Sequence, residues 1–261
     1  MKYLYRIYQL CVGLPYIVLA TVLATVLIAI GSLVGLGRWV SYYPGKWWAW
    51  SILKVLLIPV RVEGREHLRN GESYVFVSNH QGAFDIFLIY GHLCRDFRWM
   101  MKYQLRKIPF LGFACEKCNH IFIDKRGASR IKQSYDQARE ILRGGISLVV
   151  FPEGSRSFTG HMGFFRRGAF LLADELQLPV VPLTINGSFD IMPRTSRWAS
   201  WHPMTLTIHE PIRAKTRDYQ GKEAGERDHA TNVKRMMDDS YRAIESALEP
   251  QYQGYVENPD Q

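Results

Sequence analysis

The N-terminal part of the chain is a long apolar run. Residues 10–37 contain no charged side chain and are dominated by Leu, Val, Ile and Ala. A helix of about 28 residues would be roughly 42 Å long, while the hydrocarbon core of a bilayer is about 30 Å thick. The run therefore predicts a membrane helix that spans with some tilt. There are two alternatives. One is a secretory signal, and the other is a helical hairpin that bends at its glycines and Pro15 and dips into one leaflet.

A second apolar stretch, residues 47–58, is too short to span a bilayer. Three tryptophans, at positions 47, 48 and 50, gather near its start, and Lys46 precedes them. Tryptophan rings prefer the headgroup region, so the pattern predicts an interfacial helix. An ordinary core helix of the following domain is the alternative. We expect residues 1–60 to form N-terminal membrane-anchoring helices.

Strand-like and helix-like runs alternate through residues 61–250, which we predict to be a separate domain. Four apolar runs, each ending in a polar cluster, predict buried strands at 74–78, 120–124, 146–151 and 180–185. Apolar spacing predicts helices at 84–93, 129–142, 167–176 and 230–248. This alternation is typical of an α/β fold, here a single mixed, largely parallel sheet flanked by helices. The remaining residues, 251–261, are predicted to be a loose polar tail.

The composition indicates a folded protein with an anionic partner. Of the 261 residues, 47% are hydrophobic, and the formal net charge is +9. A basic balance favours an anionic membrane surface, phosphorylated substrates or nucleic acid. We expect no nucleic acid partner, because the basic residues lie at turns and no recognised binding module is present. Cys115 and Cys118 have a suggestive spacing but lack two further ligands, so no metal site is predicted.

The polar cluster after the first predicted strand of this domain contains His80 and Asp85. Ligands of open α/β sheets bind beyond the carboxyl ends of the strands, so reactive residues at this strand-turn-helix junction point to a site. On one continuous helix, five positions would set the two side chains roughly 140° apart. They meet only if His80 lies on the turn and Asp85 in the first helical turn, a bend that Gly82 permits. His80 is then predicted to be a base held by Asp85, with a chance spacing as the alternative.

Other predicted strand ends and one helix start also carry basic or polar clusters. The candidate substrate-binding residues are Lys125 and Arg126 after the second strand, Glu153, Gly154, Ser155 and Arg156 after the third, and Arg166 and Arg167 before a helix, with Glu153 expected to orient a substrate hydroxyl or a neighbouring cation. Arginine offers a planar fork of donors suited to phosphate. Each cluster taken alone is also typical of a solvated turn. Together they predict one pocket with a base and several phosphate-binding cations.

In this order and spacing, the clusters resemble the four motifs of the glycerophospholipid acyltransferases, most closely the 1-acyl-sn-glycerol-3-phosphate acyltransferases. The resemblance covers roughly residues 62–212. The matching residues are Asn79, His80 and Asp85; Phe122, Ile123, Asp124 and Lys125; residues 151–157; Val181, Pro182, Leu183, Asn186 and Gly187; and Lys102, Tyr103, Gln104 and Leu105. Two departures concern the site, since many members have Ser where Gly82 stands and Arg where Lys125 stands.

The resemblance implies a catalytic domain at residues 61–250 that moves an acyl group from acyl-CoA or acyl-carrier protein to lysophosphatidic acid, giving phosphatidic acid. It assigns the base to His80 and its orientation to Asp85. It implies acceptor binding by Lys102, Lys125, Arg126, Glu153, Gly154, Ser155, Arg156 and Arg167. No metal or other cofactor is implied.

The partners expected from this resemblance are a membrane lipid acceptor, an acyl thioester donor and an anionic membrane surface. The expected location is a bacterial inner membrane, with the catalytic domain facing the cytoplasm. Alternatives left open are an acyltransferase or transacylase acting on another lysophospholipid, and a membrane-anchored lipid-binding scaffold. A serine hydrolase is disfavoured because the sequence has no Gly-x-Ser-x-Gly.

Overall fold

The computed structural model of the protein describes residues 2–124, 126–214 and 222–256. Its α-helices are α1 (Lys2–Tyr8), α2 (Leu14–Leu33), α3 (Gly37–Val40), α4 (Tyr43–Val55), α5 (Phe84–His92), α6 (Leu111–Lys117), α7 (Ala128–Arg143), α8 (Gly168–Glu175), α9 (Ser188–Ile191) and α10 (Lys222–Ser246). Its strands are β1 (Val60–Glu63), β2 (Val75–Ser78), β3 (Phe97–Lys102), β4 (Ile121–Ile123), β5 (Ser147–Val150), β6 (Val180–Asn186) and β7 (Met204–Ile208). A π-helical turn, Gln9–Gly13, joins α1 to α2, and 3-10 turns lie at Arg65–His67, Tyr103–Lys107 and Pro250–Tyr252.

Within the described residues, the strands form one seven-stranded sheet in the order β1-β7-β6-β2-β5-β3-β4. Neighbouring strands are parallel except β6 and β7, which are antiparallel. The predicted single mixed, largely parallel sheet flanked by helices is confirmed. The carboxyl ends of β6, β2, β5, β3 and β4 therefore meet along one edge, and this carboxyl edge carries the polar clusters.

The four predicted strands correspond to β2, β4, β5 and β6, whereas β1, β3 and β7 were not predicted. The missed strands are not continuous apolar runs. In β3, Arg98 is only 2% exposed and forms an ion pair with Asp96 at 2.6 Å. In β7, burial alternates along the strand. Pairing with neighbouring strands, rather than local apolar content, places these segments in the sheet.

Helices cover both faces of the sheet. Successive strand residues point to opposite faces, so Phe76 of β2 joins the core beneath α4 and α5, and its neighbours Val75 and Val77 join the core beneath α7, α8 and α10. Full burial of one such apolar side chain contributes about 1.5–3 kcal/mol. The two cores hold the central strands from both sides, which fixes the carboxyl edge in place.

Helix α4 has one buried and one exposed face. Ala49, Ile52 and Leu53 are buried in the first core. On the other face, Trp47 is 51% exposed and Trp50 is 45% exposed. The second apolar stretch is thus a core helix along one face and presents tryptophans to the surroundings along the other.

Helices α1 and α2 pack against α4 and against the end of α6, which belongs to the domain that contains the sheet (the sheet domain). The Tyr5 hydroxyl donates to the Leu56 carbonyl at 2.8 Å, and the Trp48 indole N–H donates to Thr21 Oγ1 at 3.0 Å. Further along α2, Ile28 packs with Cys118 at the end of α6. Among the described residues, one helical stretch, Tyr3–Leu33, is long and apolar enough to cross a membrane.

Candidate active site

The turn after β2 brings His80 and Asp85 together. Asn79 fixes the start of the turn, because its side-chain amide donates to the Ile185 carbonyl at 2.9 Å and accepts from the Ile185 N–H at 2.8 Å. The next residue then places Nδ1 of His80 2.7 Å from Oδ2 of Asp85. An ionised carboxylate only accepts hydrogen bonds, so Nδ1 carries the proton and Nε2 is the basic nitrogen.

Asp85 is fully buried, and its carboxylate is held by the start of a helix and by backbone donors. It lies in the first turn of α5, where the helix dipole favours a negative charge. Its Oδ2 also accepts the backbone N–H groups of Gln81 at 2.8 Å and Gly82 at 3.0 Å. These bonds hold Oδ2 against the imidazole, while Oδ1 is buried with no hydrogen-bond partner among the described residues.

Aromatic stacking fixes the plane of the His80 ring. The ring lies on Phe151, with centroids 3.9 Å apart and planes 9° from parallel, and Phe151 in turn stacks on Trp99 at 5.6 Å. Among the described residues, no hydrogen bond to Nε2 of His80 is found, and 16% of the side chain is exposed. The ring is therefore oriented by a hydrogen bond and a stack, with Nε2 available to a substrate.

Glu153 is part of the support of the catalytic turn. It is 1% exposed; one carboxylate oxygen accepts the backbone N–H of His80 at 2.8 Å, and the other accepts that of Gly163 at 2.8 Å. Burial raises the pKa of Glu153 to about 8. The hydrogen bonds from the two backbone N–H groups lower this pKa, but by less than burial raises it. Both carboxylate oxygens thus hold backbone N–H groups of the site, and the side chain is shielded from solvent.

The other residues of the turn after β5 are more accessible. Gly154 has a φ of +77°, the left-handed conformation that glycine adopts without strain. Ser155 and Arg156 are half-buried, and within the described residues neither side chain has a hydrogen bond or ion pair. Arg166 folds over the turn, since a Cβ placed on Gly154 would lie 3.0 Å from Arg166 Nε. Two guanidinium groups thus lie on or beside this turn.

The remaining predicted cations lie further along the edge or at a helix start. Lys102 ends β3 and is exposed, and Arg167 is exposed immediately before α8. Arg126, after β4, forms a bidentate ion pair with Asp124, with Nε and Nη2 at 2.8 and 2.7 Å from its two oxygens. Lys125 lies outside the described residues.

Gly82 has a steric explanation in this chain. A Cβ at this position would lie 2.5 Å from Oγ of Ser188 and 2.7 Å from the Ser188 carbonyl oxygen. Real Cβ atoms do not come so close, so the serine that many members of the family have here could not be accepted unless α9 moved. The turn is instead packed directly on the first residue of α9.

Sequence reasoning gave no role to several residues that hold the site. Phe151 supplies the stacking surface for His80, and the side chain of Gln81 donates to the Gly160 carbonyl at 2.8 Å. The position of Phe151 at the end of a predicted strand was an available signal, because neighbouring parallel strands end side by side. Gln81 carried no such signal, since its partner is far away in the sequence.

The structure also bears on metal and thiol chemistry. Within the described ranges, no group of three or more His, Cys, Asp or Glu side chains is arranged to hold a metal ion. Burial raises the pKa of both Cys115 and Cys118 to about 12, which keeps these thiols protonated and poorly nucleophilic. The carboxyl edge thus presents a carboxylate-held imidazole beside arginine donors, an arrangement suited to general base catalysis on an anionic substrate.

Comparison with known proteins agrees with this class of site. Residues 59–186 match the family model described as Acyltransferase. A chloroplastic 1-acyl-sn-glycerol-3-phosphate acyltransferase of Arabidopsis thaliana is 31% identical over 185 residues, which cover 70% of this chain and 51% of that protein. The human 1-acyl-sn-glycerol-3-phosphate acyltransferase alpha is 35% identical over 141 residues, covering 54% of this chain and 50% of that protein. The chain spans about half the length of the curated relatives it matches.

A solved structure shares the fold. The crystal structure of the 1-acyl-sn-glycerophosphate acyltransferase from Thermotoga maritima matches with a TM-score of 0.58 and 25% identity, covering 85% of this chain and 95% of that chain. Residues 59–186 therefore form an acyltransferase-family domain. The resemblance drawn from the motifs is confirmed.

Proposed function

We propose that this protein transfers a fatty acyl group from a thioester, acyl-CoA or acyl-carrier protein, to the free hydroxyl of 1-acyl-glycerol-3-phosphate, giving phosphatidic acid. The observation that carries the proposal is the 2.7 Å contact between His80 and Asp85 at the carboxyl edge of the sheet, beside arginine donors. The relatives named above support the acceptor and the reaction type, because their names describe acyl transfer to this acceptor.

The proposed step needs one base and no covalent enzyme intermediate. Nε2 of His80 takes the proton of the acceptor hydroxyl as the oxygen attacks the thioester carbonyl carbon. The carbon–sulfur bond then breaks, the electron pair leaves on sulfur, and the imidazolium returns the proton to give a free thiol. Asp85 stabilises the imidazolium while it exists.

The strand order decides which cations suit the acceptor phosphate. In 1-acyl-glycerol-3-phosphate the free hydroxyl and the phosphate are on neighbouring carbons, so the phosphate must lie close to His80. Strands are about 4.8 Å apart, which puts the turn after β5 one spacing from His80 and the turn after β4 about 14 Å away. We therefore assign the phosphate first to Arg156, with Lys102 one strand further. Arg126 is both more distant and already paired with Asp124.

The packing of the N-terminal helices favours insertion into one leaflet over spanning. Between Tyr5 and Ile28, a helical length of about 35 Å, the chain contacts α4 or the sheet domain at three positions. A spanning orientation would carry those contacting faces into the bilayer as well. The outer side of the helix is apolar and exposed, with Leu19 at 66% and Leu33 at 87%. We propose that it lies in the membrane plane and brings the site to its lipid acceptor.

Thiol labelling tests the orientation. The variant Tyr3→Cys is made in a chain from which the exposed Cys11 and Cys94 have been removed. This protein is incorporated into vesicles with the sheet domain outside, and a membrane-impermeant thiol reagent is then added. We expect the introduced thiol to be labelled from the domain's own side, as the thiol of an Arg61→Cys control is. Protection of the thiol at position 3 until the vesicles are opened would establish a spanning helix instead.

The reaction is tested by His80→Ala with 1-acyl-glycerol-3-phosphate and each thioester in turn. We expect the kcat to fall at least about 10³-fold, because the base is lost while the turn remains. His67→Ala, at the opposite edge of the sheet, serves as the matched histidine control and should keep wild-type activity. Wild-type rates in His80→Ala would refute the mechanism.

Two outcomes with the wild-type protein separate the alternatives. Product formed from a phospholipid donor in the absence of thioester would identify a transacylase. Lipid binding with no transfer from any donor would identify a scaffold, and a panel of lysophospholipid acceptors reports whether a phosphomonoester is required.

A further inference from the structure

We propose that Tyr252, in the C-terminal segment, is a positioning residue for His80. The inference rests on the acyl transfer proposed above. The sequence predicted a loose polar tail over residues 251–261. In the structure Tyr252 is 9% exposed and belongs to the 3-10 turn Pro250–Tyr252, while residues 257–261 lie outside the described part of the chain.

The first support of the catalytic turn is the loop after β5. Ser157 donates its backbone N–H to the His80 carbonyl at 2.8 Å, and its hydroxyl accepts the Gly160 N–H at 3.0 Å. The buried Gln81 side chain donates to the Gly160 carbonyl at 2.8 Å. The position of Gly160 is therefore linked by hydrogen bonds to the two residues at the centre of the turn.

The second support is α9. Gly82 leaves no room for even a methyl group against Ser188, so the backbone of the turn rests on the first residue of this helix. The Gly82 N–H also donates to Asp85, which means that a shift of α9 would move a hydrogen-bond donor of the catalytic carboxylate.

Tyr252 joins these two supports. Its hydroxyl donates to Oδ1 of Asp190 on α9 at 2.7 Å. Its ring lies directly on Gly160, because a Cβ there would be 2.5 Å from the ring atoms Cδ1 and Cε1. The same ring packs against Phe189 with centroids 5.4 Å apart. One side chain thus clamps the loop after β5 to α9 behind the turn that carries His80.

The segment that carries Tyr252 is itself anchored to the sheet. Asn186, at the carboxyl end of β6, donates from its side chain to the Ala247 carbonyl at 2.7 Å and accepts the Glu249 N–H at 3.0 Å. The end of α10 is therefore fixed just before Tyr252. The clamp is held to the same edge of the sheet as the residues that it positions.

The expected consequence is an effect on kcat with little effect on KM. A displacement of about 1 Å between reacting groups can cost about 10²-fold in rate. Tyr252 contacts none of the residues assigned to the acceptor phosphate, so ground-state binding should be preserved. A merely structural residue would change the melting temperature without this separation of kcat from KM.

The experiment compares Tyr252→Ala, Tyr252→Phe and the matched aromatic control Tyr255→Ala in the full chain. Tyr255 lies in the same segment, is 48% exposed and packs on Phe164. We expect Tyr252→Ala to lower kcat about 10- to 100-fold with both KM values within about twofold. Tyr252→Phe keeps the ring on Gly160 and should lose about three- to tenfold. Tyr255→Ala should keep the wild-type kcat.

A double variant keeps the proposal open to refutation even if Tyr252→Ala does not fold. If the hydrogen bond between Tyr252 and Asp190 positions the turn, the two substitutions act on the same interaction. The double variant Tyr252→Phe with Asp190→Asn should then lose no more kcat than the more strongly affected of the two single variants. Wild-type kcat in Tyr252→Phe, additive losses in the double variant, or an equal loss in Tyr255→Ala would overturn the inference. An inactive wild-type protein would instead refute the proposed acyl transfer.

Discussion

The turns after β2 and β4 carry similar residues but are built in different ways. In the first, Asp85 is fully buried and one of its oxygens receives the His80 ring and two backbone N–H groups. In the second, Asp124 is also buried, but it pairs with Arg126 and Arg130, whose side chains are 57% and 55% exposed. Ion pairs to exposed guanidinium groups contribute little to stability, whereas hydrogen bonds from buried backbone N–H groups hold a carboxylate in one position. The first turn therefore fixes the geometry of the proposed catalytic pair, and the second orders a surface loop.

The largest expected contrast comes from replacing the carboxylate of each turn by an amide. Asp85→Asn keeps the shape but no longer enforces the Nδ1–H tautomer of His80, so kcat should fall about 10²- to 10⁴-fold. Asp124→Asn should lower kcat less than about tenfold, since its partners are exposed. Steady-state kinetics of the two variants measures both. Equal losses would show that the two turns have the same importance for the chemistry.

The next contrast concerns the two arginines that follow the turns after β5 and β4. Arg156→Ala should raise the KM for the lysophospholipid about 10- to 100-fold, because a charge-assisted bond to phosphate is lost next to His80. Arg126→Ala should change it less than about fivefold, since Arg126 is more distant and paired with Asp124. A larger effect at Arg126 would place the phosphate at the far end of the carboxyl edge. Arg61→Ala, at an exposed position on β1, reports the general effect of lost charge.

The last contrast concerns the pH dependence of stability. The pKa of Glu153 is about 8 in the folded chain, and its ordinary value is 4.5. Between these values the unfolded carboxyl group loses its proton while the folded one retains it, so stability falls as pH rises from about 4.5 to 8. The Glu153 contribution to the loss is up to about 5 kcal/mol. Glu153→Gln removes this titration.

Thermal unfolding at several pH values tests this effect. The melting temperature of Glu153→Gln minus that of the wild type should increase from pH 5 to pH 8. The matched control is Glu175→Gln, because the Arg139 guanidinium lowers the pKa of Glu175 and that carboxyl group stays ionised across this range in both states. A constant difference for Glu153→Gln would show that the buried carboxyl group is already ionised at pH 5.

Local pattern was enough to predict the elements at the site. Continuous apolar runs predicted β2 and β5, and the His80 to Asp85 spacing predicted a turn followed by a helix start, which is the arrangement observed. The pattern failed for β3, because Arg98 and Lys102 make it less apolar than its buried position in the sheet would suggest. It also failed for Tyr252, which was placed in a polar tail and is packed behind the turn instead.

The class of fold, the contact between His80 and Asp85 and the position of this pair at a strand end could all be predicted from the amino-acid sequence. These follow from periodicity and from short-range spacing, both of which are local. Which strand ends are neighbours is known only from the folded chain. That order puts Glu153 on the His80 amide, Phe151 against the His80 ring and Arg126 three strands away. Strand order depends on pairing between segments far apart in the chain, and no local pattern of apolar and polar residues encodes it.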